Sequence, residues 1–188
     1  MKKYILIAGV NGAGKSTLYH ILEELYEMPR INTDEIISEI GRWDNINDVI
    51  KAGKIVIEKI QKYFEQGISF NQETTLCGKT IIKNIKRAKK ENYFVEVHYV
   101  GVDSVEIAKE RVHYRISKGG HGIPDKDIER RYMESFCKLV DILDECDLIT
   151  FYDNTEYFER FAIYKNGRME ILLDKIPMWF GKLMKMKN

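Results

Sequence analysis

One octapeptide constrains this chain more than any other feature. Gly9-Val-Asn-Gly-Ala-Gly14-Lys15-Ser16 matches G-x-x-x-x-G-K-[ST] throughout. It follows the apolar run Tyr4-Ile-Leu-Ile-Ala8, which reads as a strand buried on both faces. Leu18, Ile21, Leu22 and Leu25 then recur at helical spacing and predict a helix over 15–27, stopped by Pro29. A glycine-rich turn between such a strand and helix directs backbone N–H groups at one centre, where a helix N-terminus already favours anions. Gly9, Asn11, Gly12, Ala13, Gly14, Lys15, Ser16 and Thr17 are therefore expected to cradle nucleotide phosphates. Lys15 would neutralise the β- and γ-phosphates, and the Ser16 hydroxyl would ligate Mg²⁺.

Short apolar runs alternate with helical stretches along the rest of the chain. Strands are expected at 30–33, 68–73, 93–100 and 148–152. Helices are expected from a Thr33 or Asp34 cap to about Ile40, over 48–66 and 79–91, from Ser104 to about Ser117, and from Asp125 to Cys146 behind Pro124. Asn166-Gly167 between 160–164 and 168–172 signals a hairpin, because a two-residue turn of that type needs positive φ. A short apolar helix containing Met178, Trp179 and Phe180 closes the chain, either as core or as interface. Strands spaced by helices imply βαβ units, a mostly parallel sheet and the α/β class. At 188 residues and without an internal repeat, the chain reads as a single domain.

Thirty Lys and Arg against twenty-nine Asp and Glu leave a formal charge of +1, which speaks against binding a polyanion through bulk charge. No apolar run reaches the roughly 18 residues of a membrane span, and the N-terminal run is too short for a signal-peptide core. Cys77, Cys137 and Cys146 show no CxxC spacing and fit a reducing cytoplasm. N-K-x-D, D-x-x-G and an L-S-G-G-Q-like signature are all missing, which turns the reading from signalling GTPase or transporter ATPase to a small-molecule kinase. Such an enzyme needs a carboxylate within reach of the acceptor hydroxyl, projecting from a strand's carboxyl end. Asp34 and Glu73 stand at two such ends, with Thr74 and Thr75 beside Glu73 as polar contacts. Asp34 fits a helix cap equally well, and Glu73 an exposed strand end. Arg111 and Arg115 share a helix face before Gly119-Gly120-His121-Gly122, and Arg130 and Arg131 open the return helix. This segment, about 116–125, reads as a lid carrying guanidinium groups to a transferring phosphoryl, or as a solvated basic face.

Taken together, Ala8–Thr17, Ile31-Asn-Thr-Asp-Glu-Ile36, Glu73-Thr-Thr-Leu76, Gly119-Gly-His-Gly-Ile-Pro124, Ile128-Glu-Arg-Arg-Tyr132 with Ser135, and Tyr152-Asp-Asn-Thr155 resemble the zeta-toxin-like P-loop kinases. The resemblance implies a three-layer αβα sandwich, with a five-stranded parallel sheet in the order 2-3-1-4-5 and the hairpin added at its C-terminal end. It implies ATP with Mg²⁺ as phosphoryl donor and a UDP-N-acetylamino sugar, such as UDP-N-acetylglucosamine, as acceptor. By position Asp34 becomes the general base, and Glu73, Thr74 and Thr75 become substrate contacts. Lys15, Arg115 and Arg131 become catalytic cations, with Arg111 and Arg130 on the substrate and Asn154 near the adenine. Two other readings stand beside it. One is an ATP-dependent binding module whose output is a protein partner such as an antitoxin. The other is a polynucleotide kinase, drawing on Lys83, Lys86, Arg87, Lys89 and Lys90, which the near-zero charge disfavours.

Overall fold

The run Tyr4–Ala8 is apolar at every position because its strand is sandwiched in every direction. In the computed structural model, which describes residues 1–187, β1 (Lys3–Ala8) pairs in parallel with β3 (Phe70–Thr74) on one side and β4 (Phe94–Gly101) on the other. Every residue from Tyr4 to Ala8 is buried, so helices cover both faces of the sheet. The two-residue β2 (Arg30–Ile31) lies outside β3, and β5 (Leu148–Asp153) continues in parallel from β4. The parallel order 2-3-1-4-5 is thus the expected one.

The expected hairpin joins the five parallel strands and extends their sheet. β6 (Glu159–Lys165) pairs antiparallel with β5, and β7 (Arg168–Ile171) with β6, giving one seven-stranded sheet in the order 2-3-1-4-5-6-7. The hairpin satisfies the outer backbone groups of β5, which would otherwise form an open edge. Its turn has the positive φ angles that the sequence signal requires, 53° at Asn166 and 74° at Gly167.

The helices are α1 (Lys15–Ile21), α2 (Thr33–Ile40), α3 (Ile46–Glu65), α4 (Thr80–Lys90), α5 (Val105–Ser117), α6 (Asp125–Ile142) and α7 (Met178–Lys187). Three expectations change. The helix over 15–27 stops at Ile21, since Leu22 (φ −91°, ψ 81°) leaves helical space and a 3₁₀ turn, Glu23–Glu27, follows. That turn buries Leu25 while Ile21 faces solvent, so the apolar spacing belonged to two elements. Neither Thr33 nor Asp34 caps α2; the Asn32 side chain accepts the Asp34 backbone N–H at 2.9 Å, leaving the Asp34 carboxylate free for other work. α6 ends at Ile142, and a 3₁₀ turn, Leu143–Glu145, takes the place of its last residues.

The closing helix belongs to the core. Trp179 and Phe180 are fully buried, and the Trp179 ring packs among Tyr99, Phe136 and Phe161. Its indole Nε1–H donates to Asp153 Oδ1 at 2.8 Å, and its backbone N–H donates to Asp103 Oδ1 at 3.0 Å. A Cβ at Gly101 would run into the indole, so that position admits only glycine beside this ring. Trp179→Ala removes the packing and leaves Asp153 short of a donor. It should lower unfolding free energy by about 3–5 kcal/mol in a denaturant titration.

Candidate active site

Parallel pairing brings the carboxyl ends of β1, β3, β4 and β5 to one edge of the sheet. Ile7 stands opposite Glu73 and Ala8 opposite Thr74, so the phosphate loop and the Glu73-Thr74-Thr75 segment leave the sheet side by side. The loop takes its shape from glycines: Gly9, Gly12 and Gly14 have φ of 141°, 82° and 105°. A Cβ on Gly12 would meet the Ala108 carbonyl of α5, and one on Gly14 would meet the Asn154 amide. Substitution there would lift the loop off its supports.

Glu73 is the hub. Its carboxylate accepts from Arg30 Nη2 at 2.7 Å and from Asn32 Nδ2 at 3.2 Å. The Ser16 hydroxyl donates to it at 3.4 Å, and Lys15 Nζ lies 4.0 Å away. Arg30 also pairs with Glu35 at 3.1 Å and lies over the Tyr19 ring, 3.6 Å from its centroid. Lys15 is buried and turns back to the Val10 carbonyl at 3.1 Å. Burial pulls its ammonium below the usual lysine range, while Glu73 and Asp34 act in the opposite sense.

Beside this hub opens a cavity of about 460 Å³, lined by Lys15, Asp34, Trp43, Glu73, Thr75 and Arg131 among others. Burial raises the Asp34 carboxyl above the ordinary carboxylate range; Lys15 counters this and Glu73 adds to it. Glu73 is held by donors, whereas no hydrogen bond reaches the Asp34 carboxylate among the described residues. Thr74 and Thr75 line the same cavity. Thr74 Oγ1 accepts the Leu76 N–H at 3.0 Å, in a turn that holds Leu76 at φ 61°.

The four arginines diverge. Arg131 lines the cavity and donates to Asn11 Oδ1 of the phosphate loop at 3.0 Å. Arg115 lies within electrostatic range of Lys15 and Asp34, and its Nε donates to the His121 carbonyl at 2.9 Å. Arg130 also lines the cavity, but its guanidinium is held by Glu134 at 2.9 Å and Asp127 at 3.3 Å. Arg111 turns to the carbonyl of Thr155 at 3.1 Å, beside Asn154, whose amide donates to the Ala13 carbonyl at 2.8 Å. Arg111 Nη1 and Arg115 Nη2 are buried N–H groups without a hydrogen bond, and phosphate oxygens are acceptors that would satisfy them. Ser16 Oγ and the Glu73 carboxylate, 3.4 Å apart, are hard oxygens of the kind Mg²⁺ takes, so the residues fit that ion.

Several participants escaped the sequence reading. Arg30 and Asn32 fix Glu73, and their position at the end of β2 was the available signal. Trp43, from the loop between α2 and α3, stacks on His121, in the loop between α5 and α6, at 3.6 Å between centroids and 18° between planes. No local pattern announces that contact.

The family model described as Zeta toxin matches residues 1–168. An uncharacterized protein of Haemophilus influenzae is 34% identical over 130 residues, which is 69% of this chain and 92% of that protein. A chain of the crystal structure of AvrRxo1-ORF1:AvrRxo1-ORF2 with sulphate ions superposes with a TM-score of 0.71 at 12% identity, over 97% of this chain and 63% of that one. The present chain thus spans less than two thirds of that neighbour's length. A structure from the PezAT chromosomal toxin–antitoxin system of Streptococcus pneumoniae gives a TM-score of 0.65 at 17% identity, over 100% of this chain and 84% of that one. At these identities the two structures share the fold.

His121 offers a direct check on this stack. Burial, with Arg115 and Arg131 nearby, lowers its pKa to about 4, so it is neutral against Trp43 at pH 7. A histidine whose folded pKa is depressed costs stability as pH falls from the ordinary value of about 6.5 towards 4, because the unfolded chain takes the proton first. NMR titration of the His121 ring should give a midpoint near 4. The Trp43→Ala variant should move that midpoint up towards 6.5.

Proposed function

Because the chain belongs to the zeta toxin family, we propose that it is an ATP-dependent phosphotransferase acting on a hydroxyl of a small molecule, with a UDP-N-acetylamino sugar as the first acceptor to test. The observation that carries this reading is one cavity holding Lys15 of the phosphate loop, Arg131, and a carboxylate, Asp34, with a raised proton affinity and no hydrogen-bonded partner.

ATP would place its phosphates in the loop of residues 9–17, against the backbone N–H groups and Lys15. Ser16 and Glu73 would hold Mg²⁺, which would supply charge neutralisation at the β- and γ-phosphates. The acceptor hydroxyl lies in the cavity against Asp34, which takes its proton as the oxygen bonds to the γ-phosphorus and the bond to the ADP oxygen breaks. Arg131 and Arg115 balance the charge spreading over the phosphoryl oxygens, and the lid resting on Trp43 keeps water out. A raised pKa suits Asp34 to this work, since a base nearer to neutrality accepts a proton more readily. Glu73, Thr74 and Thr75 orient the acceptor from β3, and Arg130 adds charge at the cavity rim. Arg111 and Asn154 flank the place for adenine beside the loop after β5. The cytoplasm supplies ATP for such a reaction.

The solved PezAT neighbour comes from a toxin–antitoxin system, which supports an antitoxin-like protein as a further partner. ATP consumption that needs no acceptor, and changes only when such a protein is added, would favour the binding-module reading.

Mass spectrometry of UDP-N-acetylglucosamine incubated with ATP, Mg²⁺ and the protein should show the gain of one phosphoryl group. Asp34→Asn should lower turnover by about 10²–10⁴-fold while nucleotide affinity is kept. Undiminished turnover in that variant removes Asp34 from the role of base.

The acid limb of the pH–rate profile should lie above the ordinary aspartate pKa of about 4, because the base must be ionised and its pKa is raised. The same shift predicts a stability gain. A carboxyl whose folded pKa is raised destabilises the fold once pH exceeds its unfolded value. Asp34→Asn should therefore raise Tm at pH 7, with the gain vanishing below pH ~4 in a thermal melt.

A further inference from the structure

On the same β4 strand, away from the phosphate loop, Glu96 and His98 point to one face of the sheet, as residues two apart must. Both are buried, an unusual place for a carboxylate and an imidazole side by side. His98 Nε2 is fully enclosed, 3.2 Å from Glu96 Oε1, with no well-directed hydrogen bond among the described residues. Glu24, on the 3₁₀ turn after α1, brings a third ligand atom; the three lie within 4.8 Å of one another. We propose that Glu24, Glu96 and His98 form a binding site for a zinc-class divalent metal ion.

The geometry favours a cation over a simple ion pair. Two ligands at about 2.0–2.1 Å from a tetrahedral zinc stand about 3.3 Å apart, close to the Nε2–Oε1 separation. The far side of the imidazole is prepared as metal sites prepare it: Nδ1 lies 3.3 Å from the Tyr152 hydroxyl. In the tautomer whose Nδ1–H donates to the phenol oxygen, the Nε2 lone pair is left for a cation beside the carboxylates. The remaining charges nearby are Lys3, 3.4 Å from Glu96 Oε2, and Arg160, which acts on Tyr152. The Lys3 side chain is 37% exposed and swings to water when a dication takes its place, while exposed Glu24 closes the site from outside. Water completes the coordination. A metal here clamps the turn after α1 onto β4 without entering the phosphate-transfer chemistry, so the assignment is independent of the proposed reaction.

Isothermal titration of nucleotide-free protein with ZnCl₂, paired with equilibrium dialysis and elemental analysis, tests it. The expected result is one zinc per chain with a dissociation constant in the micromolar range or below, and a zinc-dependent rise in Tm. E24Q should weaken binding at least tenfold and abolish the Tm rise. H98N should do the same, with its fold checked by circular dichroism. Glu24 is exposed, so E24Q keeps the test decisive even where H98N fails to fold. No zinc uptake by the wild-type chain overturns the proposal. So does wild-type affinity in E24Q, which would place the zinc on the cysteines or another histidine.

Discussion

A carboxylate in a nearly dry place has to be surrounded by donors, and Glu73 organises the active-site edge by that requirement. Arg30 from β2, Asn32 from the cap of α2, and Ser16 from the start of α1 all bond to it, and Lys15 lies at ion-pair distance. Buried charges held this way stabilise little in themselves, since desolvation offsets much of the attraction. What they fix is geometry. Removing any one donor would leave the others facing an underpaired anion. The register of β2 on β3, the start of α2 and the seat of the phosphate loop are therefore one interlocked unit. Asn32 serves twice, capping α2 through its oxygen and holding Glu73 through its nitrogen, and in doing so it releases Asp34 from capping.

The two carboxylates of the site therefore live differently, although fewer than forty residues separate them in sequence. One, Glu73, is held in place by donors. The other faces a cavity with its proton affinity raised by burial, the condition in which a carboxylate exchanges protons with a ligand. Trp43 and His121 add a second boundary. The loop at His121 is held by stacking of two aromatic planes, and the low proton affinity of His121 keeps that contact between neutral rings at physiological pH.

Much of this was legible in the chain. The phosphate loop carries its own geometry, since its glycines, lysine and serine each answer a physical need, and the apolar run before it marks a central strand. Ser104, Pro124 and Asn166-Gly167 signalled element boundaries that the structure keeps. Periodicity failed where two elements shared one apolar rhythm, at Leu22 and again after Ile142. The attachment of the hairpin was invisible because a turn signal says that two strands pair, not which third strand receives them. Which arginine faces the cavity also escaped the reading. Arg111 and Arg115 share a helix face, yet one turns to Thr155 and the other to His121, a choice made by loops distant in sequence.

The indole of Trp179 has one more consequence. It grips Asp153, the last residue of β5; the next residue, Asn154, holds the Ala13 carbonyl inside the phosphate loop. The loop nearest the start of the chain is thus tied, through two adjacent side chains, to a helix that begins at Met178. During synthesis, a nascent chain has its glycine-rich loop long before it has the anchor that steadies it. The loop is therefore steadied only once the helix of residues 178–187 has joined the fold.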